Sequence, residues 1–137
     1  MNGTKTLKLA YMLGSITDFV VFLMMVFPQF ASAFWGIEGF TEQYYFAMGL
    51  GAPVMLGWSL LLLWAYKKPV ERRTIAPLTI LAIIGIAMTS IIMVTRGLFT
   101  FTGMLPSFII QAILLVIFSY GYITTKSTNH IWSLIGT

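Results

Sequence analysis

The chain has 137 residues, of which 58% are hydrophobic and 9% charged, a formal charge of +4 and no cysteine, and its mean hydropathy is +0.90. A soluble domain carries about a quarter charged residues, so this composition excludes a water-soluble globule and points to an integral membrane protein. Disulfides, thiolate metal sites and thiol redox chemistry are excluded with the cysteines, and nucleic acid is not an expected partner, because the basic residues lie between apolar segments rather than along one face.

Lys5 and Lys8 precede the first apolar run, about residues 9–33, which is interrupted by Asp18 and carries Pro28 in its last turns. Proline there kinks or ends a helix. The basic start, apolar run and Ala31-Ser32-Ala33 triplet imitate a secretory signal with its cleavage site. The run is longer than a signal core and holds a carboxylate, so the expectation is a retained first span. Residues 34–43, with Trp35, Gly36, Glu38, Gly39 and Glu42, read as an exposed loop beside an interfacial aromatic.

A second span is expected at about 44–66, flanked by Tyr44 and Tyr45 at one end and by Trp64 and Tyr66 at the other. Its length is about 30 Å, the thickness of the hydrocarbon core. The segment Lys67-Lys68-Pro69-Val70-Glu71-Arg72-Arg73 follows as the densest block of charge. Pro69 before Glu71 suits the first turn of a third helix, and Pro77 either kinks that helix or marks its real start. The third span runs from about residue 74 to about 95, Arg96-Gly97 closes it, and residues 99–103 make a tight turn. The fourth runs from about 104 to 124 and stops at Lys126. The tail is polar apart from residues 131–135, which are expected at the surface. His130, the single histidine, falls in this tail, so no histidine pair within one chain can ligate haem or metal, and no cofactor is expected.

With four spans, the two termini and the central loop share one face. That face holds Lys5, Lys8, Lys67, Lys68, Arg72, Arg73 and Lys126, whereas the other holds Arg96 with Glu38 and Glu42. The positive-inside rule then makes both termini cytoplasmic. The expected fold is an all-α, antiparallel bundle of four transmembrane helices arranged as a pair of pairs, multi-pass in the cell membrane of a prokaryote. Lys67, Lys68, Arg72 and Arg73 determine topology and are placed to meet anionic lipid headgroups.

Asp18 is the residue that most needs a reason. Counted from Lys8 it lies about 15 Å deep, near the bilayer centre. A carboxylate there costs about 2.5–3.5 kcal/mol on insertion scales and should face protein or water. At the same depth lie Gly51 to Pro53, Gly85 and Gln111. Gly49, Pro53 and Gly57 recur at intervals of four as a stripe that admits a close backbone approach. Ala82, Gly85 and Thr89 share one face of the third span, and Ser107 and Gln111 one face of the fourth. Gly14 lies one turn before Asp18. The expectation is that these faces meet, with Asp18 and Gln111 hydrogen-bonded or water-bridged, and with Ser107 and Thr89 beside them.

Functionally this is a protonatable polar site that binds or transports a small solute or a proton. The plainer reading is a packing core held by one Asp–Gln hydrogen bond, worth about 0.6–2 kcal/mol. A structural or accessory subunit, packing through the Gly49–Pro53–Gly57 stripe in a homo-oligomer or a larger membrane complex, is the alternative. A membrane-embedded enzyme has the least support, because no nucleophile–base pair is visible.

Overall fold

In lipid a helix satisfies every backbone polar group within its own segment, and the computed structural model accordingly holds five helices and no strand among the described residues. It describes residues 3–36 and 39–135, with side chains as far as Thr125. The elements are α1 (Gly3–Val26), α2 (Pro28–Trp35), α3 (Glu42–Lys67), α4 (Ile75–Thr95) and α5 (Phe101–Ile135). Four of them, α1, α3, α4 and α5, are long and apolar enough to cross a membrane. The chain is a multi-pass helical membrane protein.

The first apolar run is two helices rather than one. Phe27 leaves helical geometry at φ −115°, ψ 96°, and Pro28 opens α2 at its first turn. The proline ring clashes with a helical preceding residue, yet at a helix start its missing N–H costs nothing. Gly36 ends α2 in the left-handed region at φ 65°, its N–H bonded to the Ser32 carbonyl. Thr41 caps α3, its hydroxyl accepting from the Tyr44 N–H at 3.3 Å.

One start left open is settled and one expected end is corrected. Residues 69–74 form a turn and α4 starts at Ile75, so Pro77, not Pro69, occupies the first helical turn. At the other end α5 runs past Lys126 to Ile135. A lysine ends the apolar span but is a good helix former, so it gives the backbone no reason to stop. The side chains of Lys126 and His130, and all of Glu38, lie outside the described residues.

Helix α1 is the centre of the packing, against α3 on one side and α5 on the other, while α4 packs on α5 and α2 folds back onto α1. The lateral order is therefore α3, α1, α5, α4. Sequence neighbours α1 and α3 form one pair and α4 and α5 the other, divided by the central loop and joined through α1 and α5, which is the contact pattern of a pair of pairs. Glycine permits the closest approaches. A methyl carbon on Gly14 would sit 2.9 Å from Leu62 and 3.2 Å from Phe118, and one on Gly121 would sit 3.1 Å from the backbone of Leu7. The buried core gathers at the basic end of the bundle, where Tyr11, Leu62, Ala76 and Phe118 meet. Tyr11 and Phe118 pack edge to face at 5.7 Å and 69°.

Candidate functional site

Above that core the α1–α3 interface turns polar. Ser15 donates to the backbone carbonyl of Ser59 at 2.9 Å, and Ser59 donates back to the carbonyl of Ser15 at 2.9 Å. Ser59 lies eight residues before the end of α3 at Lys67, about 12 Å from the basic end. Asp18 is one turn farther along α1 than Ser15, which puts it about 16 Å from that end, near the middle of a core about 30 Å thick.

Asp18 is half-buried, and no hydrogen bond or ion pair reaches its carboxylate among the described residues. The register of α1 against α5 brings Gln111 to its level. Leu7 touches Gly121; from there Asp18 is eleven residues along α1 and Gln111 ten residues back along α5, a difference of about 1.5 Å. Among the described residues the Oε1 atom of Gln111 is buried and has no hydrogen-bond partner, and the same holds for the Nε1 of Trp58, next to Ser59. The expected direct hydrogen bond between Asp18 and Gln111 is thus not made. The Asp18 carboxylate and the Gln111 Oε1 are instead acceptors at one depth, and neither receives a hydrogen bond among the described residues.

The remaining expected site residues separate from this layer. Ser107 accepts from the indole N–H of Trp35 at 3.2 Å, tying α2 to α5. Thr89 donates to the Gly85 carbonyl of its own helix at 3.0 Å, and both face a cleft rather than Asp18. Of the expected packing residues, Gly14 does hold helices together. A methyl carbon on Gly49, Gly57 or Gly85 would meet nothing within 4 Å, and Pro53 is exposed. The stripe on α3 therefore faces outward, which corrects its role inside the chain. Spacing alone identifies a face of small residues but not what lies opposite.

The cleft lies between α3 and α4, which separate beyond the core. Its volume is about 550 Å³, and Trp35, Tyr44, Met48, Gly85, Thr89 and Met93 are among its lining residues. A second, smaller space of about 320 Å³ fills the elbow of α1 and α2, between Val20, Met24 and Phe34. Asp18 and Gln111 line neither.

The basic loop is partly committed to the fold. The Arg72 guanidinium lies over the Trp64 ring at 3.5 Å and donates to the Trp64 carbonyl, while the Arg72 carbonyl accepts from the Tyr11 hydroxyl at 3.0 Å. Lys68 pairs with Glu71 at 3.0 Å. Arg73 carries a buried guanidinium nitrogen without a partner among the described residues, and Lys67 is exposed.

Sequence reading missed Ser15 and Ser59, and it expected Arg72 at lipid headgroups without foreseeing its contacts to Trp64 and Tyr11. The serines had a signal, since both are polar residues in apolar spans at nearly equal distance from the basic face. Compared with known proteins, the chain matches no family model, no curated protein and no solved structure.

Proposed function

We propose that the protein binds a proton at Asp18 within the bilayer and couples that proton to the movement or binding of a small solute. The observation that carries this is the pair of unmatched acceptors at one depth, the Asp18 carboxylate and Gln111 Oε1. The Gln111 amide nitrogen could donate to a carboxylate, but its buried Oε1 can only accept and needs a donor of its own. Once Asp18 is protonated, its O–H can donate to Gln111 Oε1, and both groups are then satisfied at the depth where an unpaired charge costs most. The proton is the missing part of the layer. The reciprocal serine pair below and the Tyr11–Phe118 core below that close the route toward the basic face, so a proton leaving Asp18 needs a change in α1–α5 packing. The excess of Lys and Arg on the loop face supports cytoplasmic termini.

The test is infrared difference spectroscopy of the reconstituted protein across a pH titration. A carboxylic acid C=O band should be present, should vanish in Asp18→Asn, and should shift in frequency in Gln111→Leu, which removes its acceptor. If the Asp18→Asn variant keeps the band, or Gln111→Leu leaves its frequency unchanged, the proton centre is not there.

A second reading is favoured by the outward Gly49–Pro53–Gly57 stripe, whose small residues leave open space on the lipid side of α3. In membranes such stripes support close helix–helix contact. On this reading the protein is a subunit that docks α3 against another copy of itself or a larger membrane complex, and Gly57→Leu would change its assembly state.

A further inference from the structure

We propose that the cleft between α3 and α4 holds one acyl chain of a membrane glycerolipid, with the lipid's ester carbonyl accepting from the Tyr44 hydroxyl. The site is separate from the Asp18 layer and stands without it.

Its size comes first. A volume of about 550 Å³ falls within the usual range of ligand sites, about 300–1,000 Å³. Its walls are apolar side chains and small residues, among them Met48, Ala82, Gly85 and Met93. A methyl carbon on Gly85 would meet nothing within 4 Å, so the floor of the cleft is open space rather than packed protein.

Its polarity comes second. Four of the described lining residues carry hydrogen-bond donors on their side chains, namely Trp35, Tyr44, Thr89 and Ser90. Three are already committed: Trp35 to Ser107, Thr89 to Gly85 and Ser90 to Ile86. The Tyr44 hydroxyl is buried and has no partner among the described residues. A buried donor left unmade costs about 1–3 kcal/mol, so an occupant that offers one acceptor is favoured and one that needs several partners is not.

Its depth decides which occupant. Tyr44 is the third residue of α3, at the end of the span remote from the basic loop, where tyrosine and tryptophan sit at the headgroup level. From Met93 to Ala82 the lining descends eleven residues of α4, about 16 Å, or half of a hydrocarbon core about 30 Å thick. One donor at the interface above an apolar slot one leaflet deep is complementary to an ester carbonyl with its chain hanging below. A free polar solute would meet a wall with one donor and nothing else to bind.

The test uses the full-length protein in nanodiscs doped with a phosphatidylcholine that carries a photoactivatable diazirine near the end of one chain. After illumination, labelled peptides are mapped by mass spectrometry. Labels should concentrate on Ala82, Gly85 and Ile86, several-fold above the lipid-facing stripe of Gly49, Pro53 and Gly57. Gly85→Leu, whose Cβ would meet nothing within 4 Å and whose side chain extends into the slot, should bring that labelling down to the level of the outer stripe. Thr89→Leu serves as a second filling variant should the first not fold. Tyr44→Phe should reduce cleft labelling about two- to tenfold, the equivalent of one hydrogen bond. Equal labelling of cleft and outer stripe, or cleft labelling unchanged in a folded filling variant, overturns the proposal. Loss of the label on adding equimolar decylubiquinone, with phospholipid still in large excess, also overturns it in favour of a free lipophilic carbonyl compound.

Discussion

Ser15 and Ser59 grip each other's backbones across the α1–α3 interface, each hydroxyl 2.9 Å from the other's carbonyl oxygen, with the hydroxyl oxygens 3.1 Å apart. Both residues are buried, and their mutual bonds fix the register of the two helices that carry Asp18 and the outward stripe.

Each serine hydroxyl has one hydrogen and lies nearer the partner's carbonyl, at 2.9 Å, than its hydroxyl, at 3.1 Å, so with both donating to carbonyls the two bonds are lost separately. Ser15→Ala and Ser59→Ala should each destabilise the protein by about 0.6–1.7 kcal/mol, the range measured for hydrogen bonds between membrane helices. The double variant should be close to additive. Unfolding in mixed detergent micelles, run as a double-mutant cycle, checks this. A coupling energy as large as either single effect would mean that the hydroxyl–hydroxyl contact is the true bond.

The glycines divide into two kinds, and stability measurements should separate them. Gly121→Ala places a methyl 3.1 Å from backbone atoms of Leu7, which cannot turn aside, and Gly14→Ala places one 2.9 Å from a flexible Leu62 methyl. Overpacking of this kind costs about 1–3 kcal/mol, with Gly121→Ala the worse of the two. Gly49→Ala and Gly57→Ala meet open space and should be neutral, or stabilising by up to about 1 kcal/mol through helix propensity.

Arg72 should resist replacement by lysine. Its guanidinium stacks on Trp64 and donates to that residue's carbonyl, and a lysine ammonium cannot do both with one planar group. Arg72→Lys should cost about 0.5–2 kcal/mol from the lost cation–π contact and should change the fluorescence of Trp64. Lys67→Arg, at an exposed position, should change neither.

Trp35→Phe removes the N–H that reaches Ser107 while keeping an aromatic ring in place. The loss of one neutral hydrogen bond amounts to about 0.5–1.5 kcal/mol. The effect should be local, with faster amide exchange in α2 and no change in α3, because the bond to Ser107 ties α2 to α5.

Much of the architecture was legible from residues. The spans follow from unbroken apolar runs, and their ends from Gly97, the paired tyrosines and the charged loop. The break at Phe27 was visible in Pro28, but whether a proline bends a helix or starts a new one depends on whether the chain after it finds a surface to pack on. Here Ala31 is buried and Trp35 finds Ser107. The partners of each face were not legible. Gly14 and Gly57 look alike in sequence, yet one lies against Leu62 and Phe118 and the other faces outward, because helix periodicity names a face and lateral order decides what it meets. The depth of Asp18 and Gln111 could be counted from the charged ends, but their failure to bond could not, since it depends on side-chain direction at an interface.

The lateral order carries a consequence for how the chain assembles as it leaves the ribosome. Helix α1 is synthesised first and finds its neighbour α3 early, but α4 packs chiefly on α5, which emerges last. Until α5 slides in between α1 and α4, the fourth-made helix has no seat and must wait in lipid. A chain released before Phe101 would therefore hold a paired front half and a stray helix, an unfinished species that quality-control proteases could distinguish from the completed one.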